Sequence, residues 1–216
     1  MAVVTSSEVI NTGYAVLALF ADALVLLALV GFIISRSSPA ARERWALLRD
    51  GVTPFALQIA WVVSVLATFG SLFLQYVEHL DPCEFCWFQR ICMYPLSLLL
   101  GIAAFRGDVQ VAKRYLIGLS AVGAGLAIYH YQLEHVPNEP TVCGSAVPCN
   151  VAVINIFGFI SVPFLSMAAF LLITTLLLLA RSHGDEDFDG DDIEGPHNVE
   201  RDEDSDAAVD SLPTSG

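Results

Sequence analysis

Two cysteine pairs are the residues best able to do chemistry in this 216-residue chain: Cys83 with Cys86, and Cys143 with Cys149. The first pair sits in the run Asp81-Pro82-Cys83-Glu84-Phe85-Cys86-Trp87-Phe88-Gln89-Arg90. A C-x-x-C pair is a redox dithiol, half of a zinc site, or a structural disulfide. Its surroundings favour redox work. Asp81 reads as a helix N-cap, Pro82 as the first helical position, and Glu84 as the capping-box partner three residues on. That places Cys83 and Cys86 in the first turns of a helix, where unpaired N–H groups and the helix dipole favour a thiolate. Arg90 follows Cys86 by four residues, on the same helical face. Its permanent charge suits a thiolate or a reduced ligand, whereas the plainer reading has it snorkelling to a membrane interface.

The elements that must hold these residues are membrane helices. Mean hydropathy is +0.62 and 55% of residues are hydrophobic, above the range of ordinary soluble domains. Five apolar runs are long enough to span a bilayer: about 14–34, 55–77, 87–105, 115–133 and 156–180. The first is preceded by no Lys or Arg and followed by arginines, so it is expected to stay as a transmembrane helix and not to be cleaved as a signal peptide. Pro95 and Pro163 are expected to kink their helices. Loops 35–54 and 106–114 hold seven of the ten Lys and Arg residues, and loops 78–86 and 134–152 hold none. The positive-inside rule then puts the N-terminus outside, the C-terminus in the cytoplasm and both cysteine pairs at the outer face. Disulfides persist there.

The formal charge of −13 is concentrated at one end. Thirteen of the 23 acidic residues fall in 182–216, against one arginine. Such a segment buries too little apolar surface to fold alone and is expected to be a disordered, solvated tail. The expected organisation is therefore three parts: 1–54, an extra helix with a basic cytoplasmic loop; 55–181, a four-helix redox core; and 182–216, the tail.

Two dithiols on one face suggest a relay, one pair exchanging with a soluble partner and the other passing electrons into the membrane. Cys143 and Cys149 enclose Gly144-Ser145-Ala146-Val147-Pro148, a loop short enough for a small disulfide that a partner can reach; a permanent staple is the alternative. The sequence contains no haem or flavin motif. A bilayer-soluble quinone needs no elaborate binding fold, and its ring fits against Cys86 and Arg90 with its tail in lipid. His130, near the outer end of the fourth span, is either a proton relay or a satisfied interfacial histidine. Asp22 in the first span reads as a neutral or hydrogen-bonded carboxyl. Cys92 reads as a small apolar residue outside the relay. No metal site and no nucleic-acid partner are expected.

The pattern Cys83-x-x-Cys86-x-x-x-Arg90 resembles the disulfide-bond formation protein B (DsbB) family. The Cys143-x5-Cys149 spacing, Tyr129-His130-Tyr131, and the run from Asn155 to Ser166 look more like its BdbC branch. The resemblance covers roughly residues 55–180. It implies an all-α integral membrane protein whose core is a four-helix bundle. It also implies reoxidation of a thioredoxin-like extracytoplasmic dithiol oxidase (DsbA- or BdbD-like), with electrons passed to ubiquinone or menaquinone. Carried over by position, Cys143 and Cys149 match the partner-facing pair, Cys83 and Cys86 the quinone-side pair, Cys86 the cysteine that meets the ring and Arg90 the arginine beside it. The extra first helix and the tail depart from the family pattern. Two rivals stand: a zinc-binding or disulfide-stapled structural protein, and a vitamin K epoxide reductase-like enzyme. In that second family the loop cysteines precede the C-x-x-C, the reverse of the order here.

Overall fold

A computed structural model describes residues 6–136, 143, 148–150 and 154–180. The described chain is helical, with one isolated antiparallel bridge. Helix α1 (Ser6–Ser35) leads into α2 (Pro39–Val52), and a 3-10 turn at Thr53–Phe55 joins α2 to α3 (Ala56–Tyr76). After α4 (Glu84–Arg106), a single turn α5 (Val109–Val111) and a π-turn (Ala112–Leu116) enter α6 (Ile117–His135); α7 (Val162–Leu179) closes the bundle. Among the described residues, five helical segments are long and apolar enough to cross a membrane. The protein is thus an all-α, multi-pass membrane bundle, as the sequence implies. The segment 182–216, expected to be a tail, and most of the loop 134–152 lie outside the described residues.

Three local readings change. The basic stretch 35–54 is largely a helix and not a loop. Ser38 accepts the Ala41 N–H at 3.2 Å as its N-cap, Pro39 takes the first turn, and Ala, Arg and Leu make up most of the remainder. Arg49, near the end of that helix, donates from Nε to the Leu179 carbonyl at 3.0 Å and so ties α2 to the C-terminus of α7. The last span begins at Val162 and not at residue 156. Phe157 and Gly158 take left-handed φ values of 55° and 85°, and reciprocal bonds of 2.9 and 3.0 Å between Ile156 and Ile160 close a tight turn ahead of the helix. Pro163 therefore lies in the first turn of α7, where it starts the helix and does not kink it; Pro95 lies inside α4.

Packing between helices in lipid rests on close fit and on polar glue. The α6–α7 seam shows both. Gly123 leaves so little room that a Cβ there would fall 2.3 Å from the Phe170 ring. Ser120 donates to the Phe170 carbonyl at 3.0 Å and pairs with Thr174 Oγ1 at 2.7 Å. Leu96, Leu100, Phe170 and Ile173 are fully buried between α4, α6 and α7. This rigid centre fixes the N-terminal end of α4 against α6 and α7.

Candidate functional site

The site is built on the first two turns of α4. The N-cap is Cys83, not Asp81: Cys83 is extended (φ −70°, ψ 172°), and its Sγ accepts the Cys86 N–H at 3.4 Å. A sulfur here replaces the carboxylate anticipated two residues earlier, and so the helix end is satisfied by the reactive atom itself. The Cys83 and Cys86 sulfurs lie 2.9 Å apart as free thiols.

His130 of α6 faces Cys83, with Nε2 at 3.6 Å from Sγ. Its other nitrogen, Nδ1, is 3.1 Å from Gln89 Nε2. Ser166 of α7 donates to Gln89 Oε1. Once the Gln89 carbonyl accepts from Ser166, its amide NH2 must donate to His130 Nδ1, which leaves the imidazole N–H on Nε2, directed at Cys83. Phe85 stacks on the ring with centroids 5.5 Å apart, holding its plane. Cys83 lies just ahead of the membrane-spanning part of α4. Hydrogen bonding from the Cys86 thiol, aided by His130 and the Cys86 N–H, overcomes burial and holds the Cys83 thiol down to about 4. The thiol that its surroundings favour as the anion is thus Cys83, whereas the Arg90 spacing had pointed to Cys86.

Arg90 is buried, with 8% of its surface exposed, and does not snorkel to solvent. It reaches across to α3, donating from Nε to Ser71 Oγ at 2.8 Å, from Nη2 to the Ser71 carbonyl at 3.0 Å, and from Nη1 to Gln75 Oε1. Trp87 lies against the guanidinium, 5.3 Å from its ring centroid. These partners immobilise a positive charge one turn beyond Cys86.

Cys143 and Cys149 are joined as a disulfide with Cα atoms 6.3 Å apart. Cys149 is buried in one cluster with Cys83, Phe85 and Leu133; Cys86 and the half-buried Cys143 pack against it. All four sequence-selected cysteines therefore meet in one place, although 60 residues separate Cys83 from Cys143. Cys92 is buried in the helical core, apart from that cluster. The outer disulfide also removes two donors from a four-cysteine zinc site. Among the described residues, the structure gathers Cys83, Cys86 and His130, whose donor atoms lie within 4.8 Å of one another.

A cavity of about 330 Å³ opens beside the pair. Cys83, Cys86, Gln89, Arg90 and His130 form its polar end, with Glu134 nearby, and the remaining walls are mostly apolar. A flat ring with two carbonyl oxygens and a greasy tail fits that division: sulfur and guanidinium at one end, aliphatic side chains along the rest. Gln89, Ser71, Gln75, Glu134 and Ser166 are the residues that reading the sequence missed as site members. For all but Glu134, which borders the fourth span, the one signal was a polar residue within an apolar span.

The family model described as "Disulfide bond formation protein DsbB" matches residues 53–180. "Disulfide bond formation protein C" of Bacillus subtilis (strain 168) is 44% identical over 132 residues, covering 60% of this chain and 95% of that protein. A "Probable disulfide formation protein" of Oceanobacillus iheyensis is 47% identical over 132 residues, covering 59% and 90%. One of the same name from Coxiella burnetii (strain CbuK_Q154) is 43% identical over 129 residues, covering 58% and 87%. No solved structure matches the chain. The matched region starts after α1 and α2.

Proposed function

The chain belongs to the DsbB family of disulfide bond formation proteins, and from that premise we propose that it is a membrane thiol:quinone oxidoreductase that regenerates an extracytoplasmic disulfide donor. Its general role in disulfide formation and its multi-pass membrane character come with the family and the five spans. The finer reading rests on one observation: two dithiols share a buried cluster at the mouth of a cavity whose polar end holds Cys86 and Arg90.

The partner is a thioredoxin-like protein dithiol at the outer face. Its thiolate attacks Cys143, the more exposed sulfur of the outer disulfide, and closing the partner's own disulfide leaves Cys143 and Cys149 as thiols. Cys149, buried beside Cys83, attacks Cys83 in the oxidised inner pair and expels Cys86 as a thiolate. Cys143 then attacks Cys149, restores the outer disulfide and releases Cys83. Two electrons have moved inward, and the inner pair is a dithiol.

A bound quinone supplies an acceptor for two electrons and two protons. The residues around it do the rest. Arg90, held by Ser71 and Gln75, presents fixed positive charge where negative charge develops. His130, with its Nε2–H directed at the Cys83 sulfur, steadies that thiolate at the polar end of the cavity. Cys83 and Cys86 close their disulfide as the two electrons leave; the Cys86 thiol gives up one proton, and solvent, which took the Cys83 proton when that thiolate formed, returns the second.

Replacing Cys86 or Cys143 by Ala is expected to abolish quinone-dependent oxidation of a thioredoxin-like dithiol. The measurement is quinone absorbance in the ultraviolet, with purified protein and a dithiol donor. Normal turnover in either variant overturns the relay. A stoichiometric zinc that is lost with Cys83→Ala, with no quinone reduction in the wild type, supports the metal-binding rival instead.

A further inference from the structure

Helix α1 lies outside the matched family region, yet it forms one wall of the cavity that begins at Cys86 and Arg90. We propose that α1 and α3 form the two sides of a slot that holds the isoprenoid tail of the acceptor, so that α1 sets which tail the enzyme accepts. This inference rests on the quinone reading above and extends it to an element that reading does not use.

The slot follows from how α1 packs. It lies mainly on α7, with little direct contact to α3. A gap is left between two apolar helices that run in opposite directions. On α1, Tyr14, Leu17, Ala18, Ala21 and Leu24 line the cavity. Their spacing of three and four places them on one helical face. From Tyr14 to Leu24, ten steps along the helix, the row extends about 15 Å at the helical rise. On α3 the facing residues run from Gly70 back to Ile59 by way of Leu66 and Val63.

The two ends of the slot differ in chemistry. At one end, Tyr14 lies against Gly70, where a Cβ would stand 3.0 Å from its ring, and its hydroxyl is 3.4 Å from the Leu66 carbonyl. The next residue, Ser71, anchors Arg90. The absence of a side chain at Gly70 thus lets α1 meet α3 beside the redox centre. Toward the other end the walls are aliphatic. Leu17 and Leu24 line the cavity while remaining 53% and 39% exposed, and Ile59 and Leu66 are each 42% exposed. Side chains that line a cavity and still keep such exposure border a slot open to the bilayer. A polar, positively charged end continuous with a lipid-open aliphatic slot fits a prenylated ring, the ring at Arg90 and the tail between α1 and α3.

The test uses the full-length protein and two acceptors with the same ring, one with a long prenyl tail and one without. A third, carrying a photoreactive group in its tail, reports binding independently of turnover. Photolabelling of the wild type is expected on peptides of α1 and α3. Ala21→Phe, which fills the slot from the α1 side, is expected to lower the ratio of kcat/KM for tailed over tail-less acceptor by about tenfold or more, the size of a misfit in an apolar pocket. Leu24→Ala, which removes wall contact without adding volume, is expected to lower the same ratio by a few fold. Labelling confined to other helices, or an unchanged ratio in both variants, overturns the role of α1 even where the tail-less acceptor is still reduced. Reduction of neither acceptor by the wild type overturns the quinone reading itself, and the inference falls with it.

Discussion

Cys83 does two jobs with one sulfur. It caps α4 and it carries the site's negative charge. A thiol held near 4 is a good leaving group, and stabilising its thiolate makes the Cys83–Cys86 disulfide a better oxidant. The sign of the pH dependence follows. The thiolate is present above its depressed pKa and is lost as pH falls through about 4. In the reduced protein, thiolate absorbance attributable to Cys83 is expected to persist across the neutral range and to fade only near that value. Gln89→Leu removes the donor that fixes the His130 tautomer, so the N–H facing Cys83 is no longer enforced. The titration is expected to move to higher pH in that variant, and an unmoved midpoint would show that Gln89 does not act through His130. The C-x-x-C spacing made Cys83 and Cys86 legible in the sequence. Which of the two holds the charge was not, because that depends on His130, 47 residues away in the chain.

Among the elements, the proposed relay draws on α4 and α6, and α7 holds them in place. The Ser166–Gln89 bond links α7 to α4, and the tight fit of Phe170 against Gly123 sets how closely α6 approaches α7. Gly123→Ala puts a methyl group where the Phe170 ring now lies. It is expected to cost about 1–3 kcal/mol through overpacking, read as a lower thermal unfolding midpoint in detergent. Adding Phe170→Leu is expected to recover part of the loss, since it returns the space the methyl group needs. If Gly123→Ala unfolds at the wild-type temperature, the seam is looser than described. Helix α2 was read as a loop because its arginines mask the helix-forming Ala and Leu around them. The Ser38–Pro39 start signal was present in the sequence.

For the whole molecule, the placement of basic residues sets the orientation expected across the membrane. Arg42, Arg44 and Arg49 lie on α2, with Arg49 bonded to the C-terminus of α7, and Arg106, Lys113 and Arg114 lie around the α4–α6 connection, at the far end of α4 from Cys83 and Cys86. The basic clusters are expected to face the cytoplasm and Cys143 the exterior. In intact cells, after reduction, a membrane-impermeant thiol reagent is expected to label Cys143 and not a cysteine introduced at Ser37, beside Arg36. The reverse pattern inverts the topology and removes the extracytoplasmic partner from the proposal.

Composition and the lengths of the apolar runs alone determined that this is a membrane protein of five spans, because a long apolar helix satisfies its own backbone groups inside the hydrocarbon core. Spacing alone picked out Cys83, Cys86, Arg90, Cys143 and Cys149, since local chemistry is written in local sequence. His130 was legible only as one of two alternatives. Tertiary structure decided everything that needed two distant segments to meet. It brought Cys149 against Cys83 and turned Arg90 inward onto Ser71 and Gln75. It oriented His130 through Gln89 and Ser166, and placed α1 along the cavity. A polar residue in an apolar span announces that it needs a partner. Which partner it finds depends on how the helices cross, and no periodicity in a single chain encodes that crossing.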